Sequence, residues 1–285
     1  MRDSVRRREL AEFIRSRRER LTPEDVGIAS YGQRKTPGLR RQEVADLANL
    51  GLAWYTWLEQ ARDINVSDEV LGAIARALRL TPDERGHLLA LGQGLRLPRE
   101  VVPEPRDISP AHHAVLAALE PNPALIRDEH WNMLAWNRTF GAIVNVDTLA
   151  PEHRNLLRII FVDEPSINLH VHWEETAAFA VAQFRFECAH RLQDPEARAL
   201  VEELHDLSPE FGKIWRRQEV DSGLGTTAEW RARPAGELVF DRAIYPVQSA
   251  TDPAFLNGPR HRMCVYVPRA GTETGELLRE TVGAA

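Results

Sequence analysis

The stretch GLAWYTWLEQAR, residues 51–62, packs two tryptophans and a tyrosine into four positions of a segment too short to need so much core. Set on a helix at about 100° per residue, Trp54, Tyr55 and Leu58 fall on one arc, while Leu52, Ala53, Thr56, Trp57 and Gln60 fall on the other. The first arc reads as core, its large aromatics making up for the small size of the surrounding segment. The second arc leaves an indole beside a hydroxyl and a carboxamide. Two alternatives stand for Trp57: it meets a partner, or it covers the rim of the core or meets a second domain.

Upstream, LRRQEVADLA (39–48) reads as another short helix, and only Asn49-Leu50 separates the two. That size and tight connection are those of a helix-turn-helix, whose second helix enters the DNA major groove. Thr56 and Gln60 can then hydrogen-bond base edges, and the Trp57 indole can contact thymine methyls or sugars. The charge distribution agrees. Residues 1–100 hold 18 Lys+Arg against 15 Asp+Glu, and the remainder holds 18 against 27, although the whole chain is at −6. Within residues 1–62, where 13 Lys+Arg face 9 Asp+Glu, Arg6-Arg7-Arg8, Arg17-Arg18, Arg34-Lys35 and Arg40-Arg41 supply most of the positive charge. Arg34, Lys35 and Arg40 suit phosphates, which position a protein without reading sequence. The reading from another class is a protein–protein interaction module using a degenerate helix-turn-helix for docking, a surface with no need of the basic neighbours.

Working outward, apolar residues at helical spacing predict a helix over 4–20, followed by a Gly/Pro-rich loop, and two more over 67–80 and 81–92 opened by Ser67 and Thr81 as N-caps. The expectation is an all-α, five-helix domain over 1–95. A linker with four prolines follows at 96–110. Across 111–285 the pattern changes. PALIRDEHWNMLAWN (123–137) is two apolar runs around a polar turn, with Asn137 ending the second run and starting a helix. AEWRARPAGELVFDRAIYPV (228–247) has hairpin form around Pro234-Ala235-Gly236, and MCVYVP (263–268) is a further strand. Helical segments such as 173–192 and 194–207 lie between, so the second domain reads as α+β, an antiparallel sheet with helices on one face.

No apolar run approaches the ~18 residues of a membrane span, and the basic start lacks the apolar core of a signal peptide. With Cys188 and Cys264 as the only cysteines, a cytoplasmic chain without a disulfide framework is expected. No phosphate loop, nucleophile elbow or nucleophile–base constellation is present, so no catalytic residue is named. The pairs His170/His172 and Cys188/His190 are two apart. Their surroundings read as helical, where i and i+2 diverge, so no metal site is expected.

LRRQEVADLANLGLAWYTWLEQARDINVSDEVLGAIARAL resembles the helix-turn-helix of XRE (lambda-repressor-like) regulators. More narrowly, RRRELAEFIRSRRERLTPEDVG, TPGLRRQEVADLA and WYTWLEQAR, with the later LAWNR, RNLLRIIF and SPEFGKIW, resemble regulators that join this motif to an MmyB-like, PAS-like ligand-binding domain. The resemblance implies a one-component transcriptional regulator that binds double-stranded DNA, expected as a homodimer on a two-fold symmetric operator, with Arg41, Leu52, Ala53, Thr56 and Trp57 at DNA-meeting positions. It also implies a bridge from Glu59 to Arg18 and a small apolar ligand, fatty acids among the candidates, with no other cofactor. Trp136, Phe140, Phe161, Trp173, Phe179 and Trp215 are the candidate pocket residues, with ordinary core packing as their alternative. An acidic ligand head would call for a cation such as Arg158 or Arg217. Three positions depart from the motif: Asn49 in the turn, Gly51 at the cap and Ala61 where glycine often ends the helix.

Overall fold

The computed structural model describes residues 2–28, 38–93, 108–189, 194–222, 227–232, 236–247 and 261–283. The loop carrying Arg34 and Lys35, most of the linker, His190, and Pro234-Ala235 lie outside the described residues. By contact the chain forms two compact units. The first holds residues 1–99 with 185–200 and 215–222, and the second holds 100–184, 201–214 and 223–285. The sequence pattern gave no sign that the two later segments belong with the N-terminal helices.

In the first unit the expected five helices are α1 (Arg2–Arg20), α2 (Arg41–Leu47), α3 (Leu52–Glu59), α4 (Asp68–Ala77) and α5 (Pro82–Gln93). Leu10, Phe13 and Ile14 of α1, Val44 and Ala45 of α2, Tyr55 and Leu58 of α3, Leu71 and Ile74 of α4 and Leu88 of α5 are buried together as its core. Both predicted caps form. Ser67 Oγ accepts from Val70 N at 3.3 Å, and Thr81 makes a reciprocal capping box with Glu84, whose Oε2 accepts from Thr81 N at 2.9 Å. α2 has its own version, with Arg40 N donating to Glu43 Oε2 at 2.6 Å.

Asn49 (φ 55°) turns the chain between α2 and α3 in the left-handed region, which asparagine tolerates. Ala61 sits there too, at φ 56°, just past α3. A methyl side chain in this region is strained by about 1–2 kcal/mol, and glycine returns part of that relief as unfolded-chain entropy. Ala61→Gly is therefore expected to raise stability by about 0.5–1 kcal/mol, read as a higher urea midpoint at unchanged slope. A lower midpoint would mean the methyl packs usefully.

The second unit opens with α6 (Pro110–Ala118), so the helix starts at the last residue of the expected linker. β1 (Ala124–Arg127) and β2 (Met133–Trp136) follow, then α7 (Arg138–Val144), α8 (Leu156–Phe161), α9 (Glu164–Leu169) and α10 (Trp173–Cys188). After these come α11 (Pro195–Leu207), α12 (Pro209–Trp215), β3 (Thr227–Ala232), β4 (Gly236–Val247), β5 (His261–Pro268) and α13 (Thr274–Gly283). Helices α10 and α11 contribute to both units along their length. The strands form one antiparallel sheet in the order β2-β1-β5-β4-β3.

Asn137 does what its position predicts. Its Oδ1 accepts from Phe140 N at 3.1 Å, capping α7, and from Ala124 N at 3.0 Å. The polar turn before it is built on Asp128, whose Oδ1 accepts from His130 N and Asn132 N, each at 2.8 Å. The sheet differs from expectation in being covered on both faces. Leu125, Cys264 and Tyr266 join a core with Phe140, Val144 and Ile159, whereas Ala124, Ile126, Met263 and Val265 join a second one with Leu116 of α6. Alternate residues of β1 and β5 thus go to opposite cores, and β1 is buried at all four positions.

Candidate functional site

On α3 the two arcs separate as the periodicity requires. Tyr55, Leu58 and Glu59 are buried, Trp54 is half-buried, and Leu52, Ala53, Trp57 and Gln60 are exposed with Thr56 partly so. Leu52 at 42% and Trp57 at 41% are among the large apolar side chains the chain leaves in solvent. The Arg62 guanidinium lies 5.9 Å from the Trp57 ring centre, a cation–π contact at the exposed face. Arg40 is exposed at the start of α2, next to this face in sequence.

The expected bridge is present and larger than expected. Glu59, whose side chain has no solvent exposure, accepts from Arg18 Nε at 2.6 Å through Oε1 and from Arg41 Nε at 2.7 Å through Oε2. Arg18 also donates from Nη1 to Leu39 O at 2.8 Å. One buried carboxylate therefore ties α1, α2 and α3 together at the base of the exposed arc. Arg41 spends one edge of its guanidinium on this bridge, so removing it would disturb the fold as well as any contact with a partner. The resemblance placed Arg41 only at a DNA-meeting position, because the register between α2 and α3 that sets it over Glu59 is a tertiary fact.

Burial would raise the Glu59 carboxyl, but hydrogen bonds from Arg18 and Arg41 outweigh it and hold it below its usual value. His87 of α5 moves the other way for a basic group. It is buried edge-on to Phe13, with ring centroids 4.8 Å apart, and neither ring nitrogen finds a partner among the described residues. Burial first, then the nearby charges of Arg185 and Arg17, pull it down to about 3. Both groups have folded-state values below their unfolded ones, so the stability they support is present above the unfolded values and is lost as pH falls. For His87 the loss begins near pH 6.5 at about 1.4 kcal/mol per pH unit, and for Glu59 it adds below about 4.5. The urea midpoint of the full chain should thus fall between pH 6.5 and 4, and His87→Leu should flatten that part of the curve. A midpoint level down to pH 5 would show that His87 gains a proton acceptor on opening.

The second unit contains a cavity of about 270 Å³. Phe140, Leu169, Trp230 and Tyr266 form much of its apolar wall, with Thr176, Phe179 and Ala180 contributed by the first half of α10. Trp230 and Tyr266 rings lie 4.3 Å apart, and Phe140 stacks on Tyr266 at 6.2 Å. The polar part of the wall is Arg242, His170, His172, Glu175 and Glu229. Arg242 sits 4.6 Å over the Phe179 ring and donates to Gln183 Oε1 at 3.0 Å. Burial pushes the Tyr266 phenol up to about 12 against the pull of Arg242 beside it. His170 is neutral, lowered by burial to about 4, while His172 Nε2 lies 3.4 Å from Glu229 Oε2 at a more exposed position.

Of the six aromatic residues the sequence offered for this pocket, Phe140 and Phe179 line it, and the other four are not among its lining residues. Trp136 packs against Gly141 and carries Arg154 over its ring at 5.3 Å. Phe161 packs edge-on against Phe211 and Trp173, and the Trp173 indole donates to Ile160 O at 2.7 Å. Trp215 belongs to the first unit, under the Arg185 guanidinium at 3.9 Å. Arg158 is engaged by Glu203 and the Glu152 carbonyl, and Arg217 is exposed in the first unit. The cation at the cavity is Arg242, which sequence reasoning passed over. A signal existed: at strand spacing Arg242 continues the row Leu238, Phe240, whose members are core. The segment His170–His172 also differs from its helical reading. It runs between α9 and α10, with His170 bridged to Trp230 and Val171 N donating to Glu229 O at 3.0 Å, and both histidines reach the cavity.

Among the described residues no helix is long and apolar enough to cross a membrane. Residues 9–88 match the model of a helix-turn-helix domain, and residues 108–280 match that of the MmyB-like transcription regulator ligand binding domain. No curated protein matches the chain. The exposed arc of α3 lies inside the first match and the cavity inside the second, and the second spans more than half of the sequence. The chain therefore belongs to the family of MmyB-like transcription regulators, with a helix-turn-helix DNA-binding domain ahead of its ligand-binding domain.

Proposed function

We propose that this regulator reads an operator with the exposed arc of α3 and changes its DNA affinity when a small amphiphile fills the cavity. In this reading Leu52, Ala53, Thr56, Trp57 and Gln60 face the major groove, and the basic residues Arg40, Arg41, Arg34 and Lys35 serve the phosphates. The observation that carries the reading is the face itself, with Trp57 and Leu52 left in solvent on a helix whose other side is fixed in the core by Glu59. A homodimer on a two-fold operator follows from the usual half-site geometry. The sheet order β2-β1-β5-β4-β3, with the cavity among helices and sheet, supports a PAS-like sensory domain.

The wall chemistry selects the ligand. A mostly apolar cavity with the Arg242 guanidinium among its described lining residues suits a short acyl chain ending in a carboxylate, which would take Arg242 from the neutral Gln183 amide into a stronger, charge-assisted pair. Titrating the full chain against random-sequence and genomic duplexes at two salt concentrations tests the DNA reading. Saturable, sequence-selective binding that weakens steeply with salt is expected, and Trp57→Ala should weaken it without lowering the melting temperature. Absence of binding at low salt would favour the docking-module reading instead.

A further inference from the structure

In the second unit β3 stands at the end of the sheet. β4 pairs along one of its edges, and among the described residues no strand of the sheet pairs along the other. An edge of N–H and C=O groups needs a cover, and part of it is supplied by the short link between α9 and α10, His170-Val171-His172. His170 has extended angles, φ −79° and ψ 123°, and forms an antiparallel bridge with Trp230. Val171 N donates to Glu229 O at 3.0 Å, and His172 Nε2 lies 3.4 Å from Glu229 Oε2.

Both sides of this seam belong to the cavity. His170 and His172 line it from the link, and Ala228, Glu229 and Trp230 line it from β3. The seam is also where the wall meets solvent. Among the described lining residues the exposed ones are His172, Glu175 and Thr227, at the starts of α10 and β3, while Phe140, Leu169, Trp230 and Tyr266 are buried. Phe140, Trp230 and Tyr266 share one core with Leu238 and Phe240, so parting the wall there would expose large apolar area. The link is anchored at its ends and lightly held between them. Leu169 before it is buried, and the Trp173 indole after it donates to Ile160 O at 2.7 Å. The residues between are held to β3 by the Val171 bond, the His170 bridge and a histidine–carboxylate pair in solvent, interactions that are individually weak. A segment of this kind opens at low cost while the domain around it stays folded.

We infer that His170-Val171-His172 is the gate of the cavity, leaving the edge of β3 to admit a ligand and closing behind it, with His172 and Glu229 as the latch. This rests on the reading of the cavity as the ligand site, and it adds the way in. Leu169 and Trp173 stay fixed, and the residues between them absorb the change in backbone angles, as short hinged segments do. Such a gate sets how fast a ligand comes and goes without setting how tightly it is held, because opening precedes both entry and exit.

The test is stopped-flow binding of octanoate and of octan-1-ol to the full chain, followed by tryptophan fluorescence, since Trp131 and Trp230 line the cavity. Val171 is not among the lining residues, and Val171→Pro removes the N–H that reaches Glu229 O. It should raise the association and dissociation rate constants together by about five-fold, the factor of one net hydrogen bond, and leave Kd within about two-fold. His172→Arg makes the latch a permanent ion pair and should slow both rates. This second variant decides the matter if Val171→Pro does not fold by circular dichroism. Unchanged rates in either folded variant, or a change in Kd carried by one rate constant alone, would overturn the gate. Octanol that follows the expected pattern while octanoate does not bind would count against the carboxylate reading and still support the gate. Failure of both probes to bind would overturn the cavity as a ligand site and the gate with it.

Discussion

Glu59→Ala is expected to destabilise the helix-turn-helix unit by about 3–5 kcal/mol, the usual loss when one partner of a buried charge pair is removed. The reason lies in what stays behind. Among the described residues Arg18, with 9% of its side chain exposed, keeps the Leu39 carbonyl at 2.8 Å and the half-exposed Glu19 at 3.4 Å, and Arg41 loses the oxygen that holds it against α3. At about 4–8 °C per kcal/mol for a domain of this size, the melting temperature should drop by well over 10 °C. Glu59→Gln keeps the shape and one acceptor, so its loss should be smaller. A Glu59→Ala melt within about 2 °C of the parent would mean that water reaches Arg18 easily and that the bridge adds little.

The second large effect is expected at Gly38, where the chain enters α2. Its φ of 74° is a left-handed conformation, and a Cβ built there would lie 2.5 Å from Glu19 Cα and 2.6 Å from the Arg18 carbonyl oxygen. These are backbone atoms at the end of α1 and cannot swing aside. Gly38→Ala must therefore push residue 39 off α1, stretching the Leu39 N to Arg18 O bond of 3.0 Å, at a total loss of roughly 3 kcal/mol or more. Gly27→Ala is the internal control, since its φ is 77° but no atom of the described residues would lie within 4 Å of the added Cβ, leaving the conformational term of about 1 kcal/mol. Equal losses at the two sites would show that the close approach relaxes freely.

The same residues show how much was readable beforehand. The division of α3 into a buried and an exposed arc needed only the helical period, because a one-sided core imposes that period on any short helix packed against it. Asn137, Ser67 and Thr81 were readable as caps for a similarly local reason, their side chains bonding to backbone within a few residues. The strain at Ala61 was also visible as a departure from glycine at a helix end. By contrast Arg242, His170 and His172 were read without their place at the cavity, and four of six proposed pocket aromatics went to core packing. Aromatic residues fill cores and line pockets with the same composition, so periodicity cannot separate the two.

The sequence by itself determined the five N-terminal helices, their caps, the exposed face of α3 and the antiparallel strands that follow, since each depends on spacing and on bonds between near neighbours. Only the tertiary structure decided that Glu59 takes both Arg18 and Arg41, that the sheet is covered on both faces, that Arg242 is the cation at the cavity, and that residues 185–200 and 215–222 join the first unit. Those facts join residues far apart in the chain. They depend on which surfaces meet when apolar area is buried, and no local pattern records that choice.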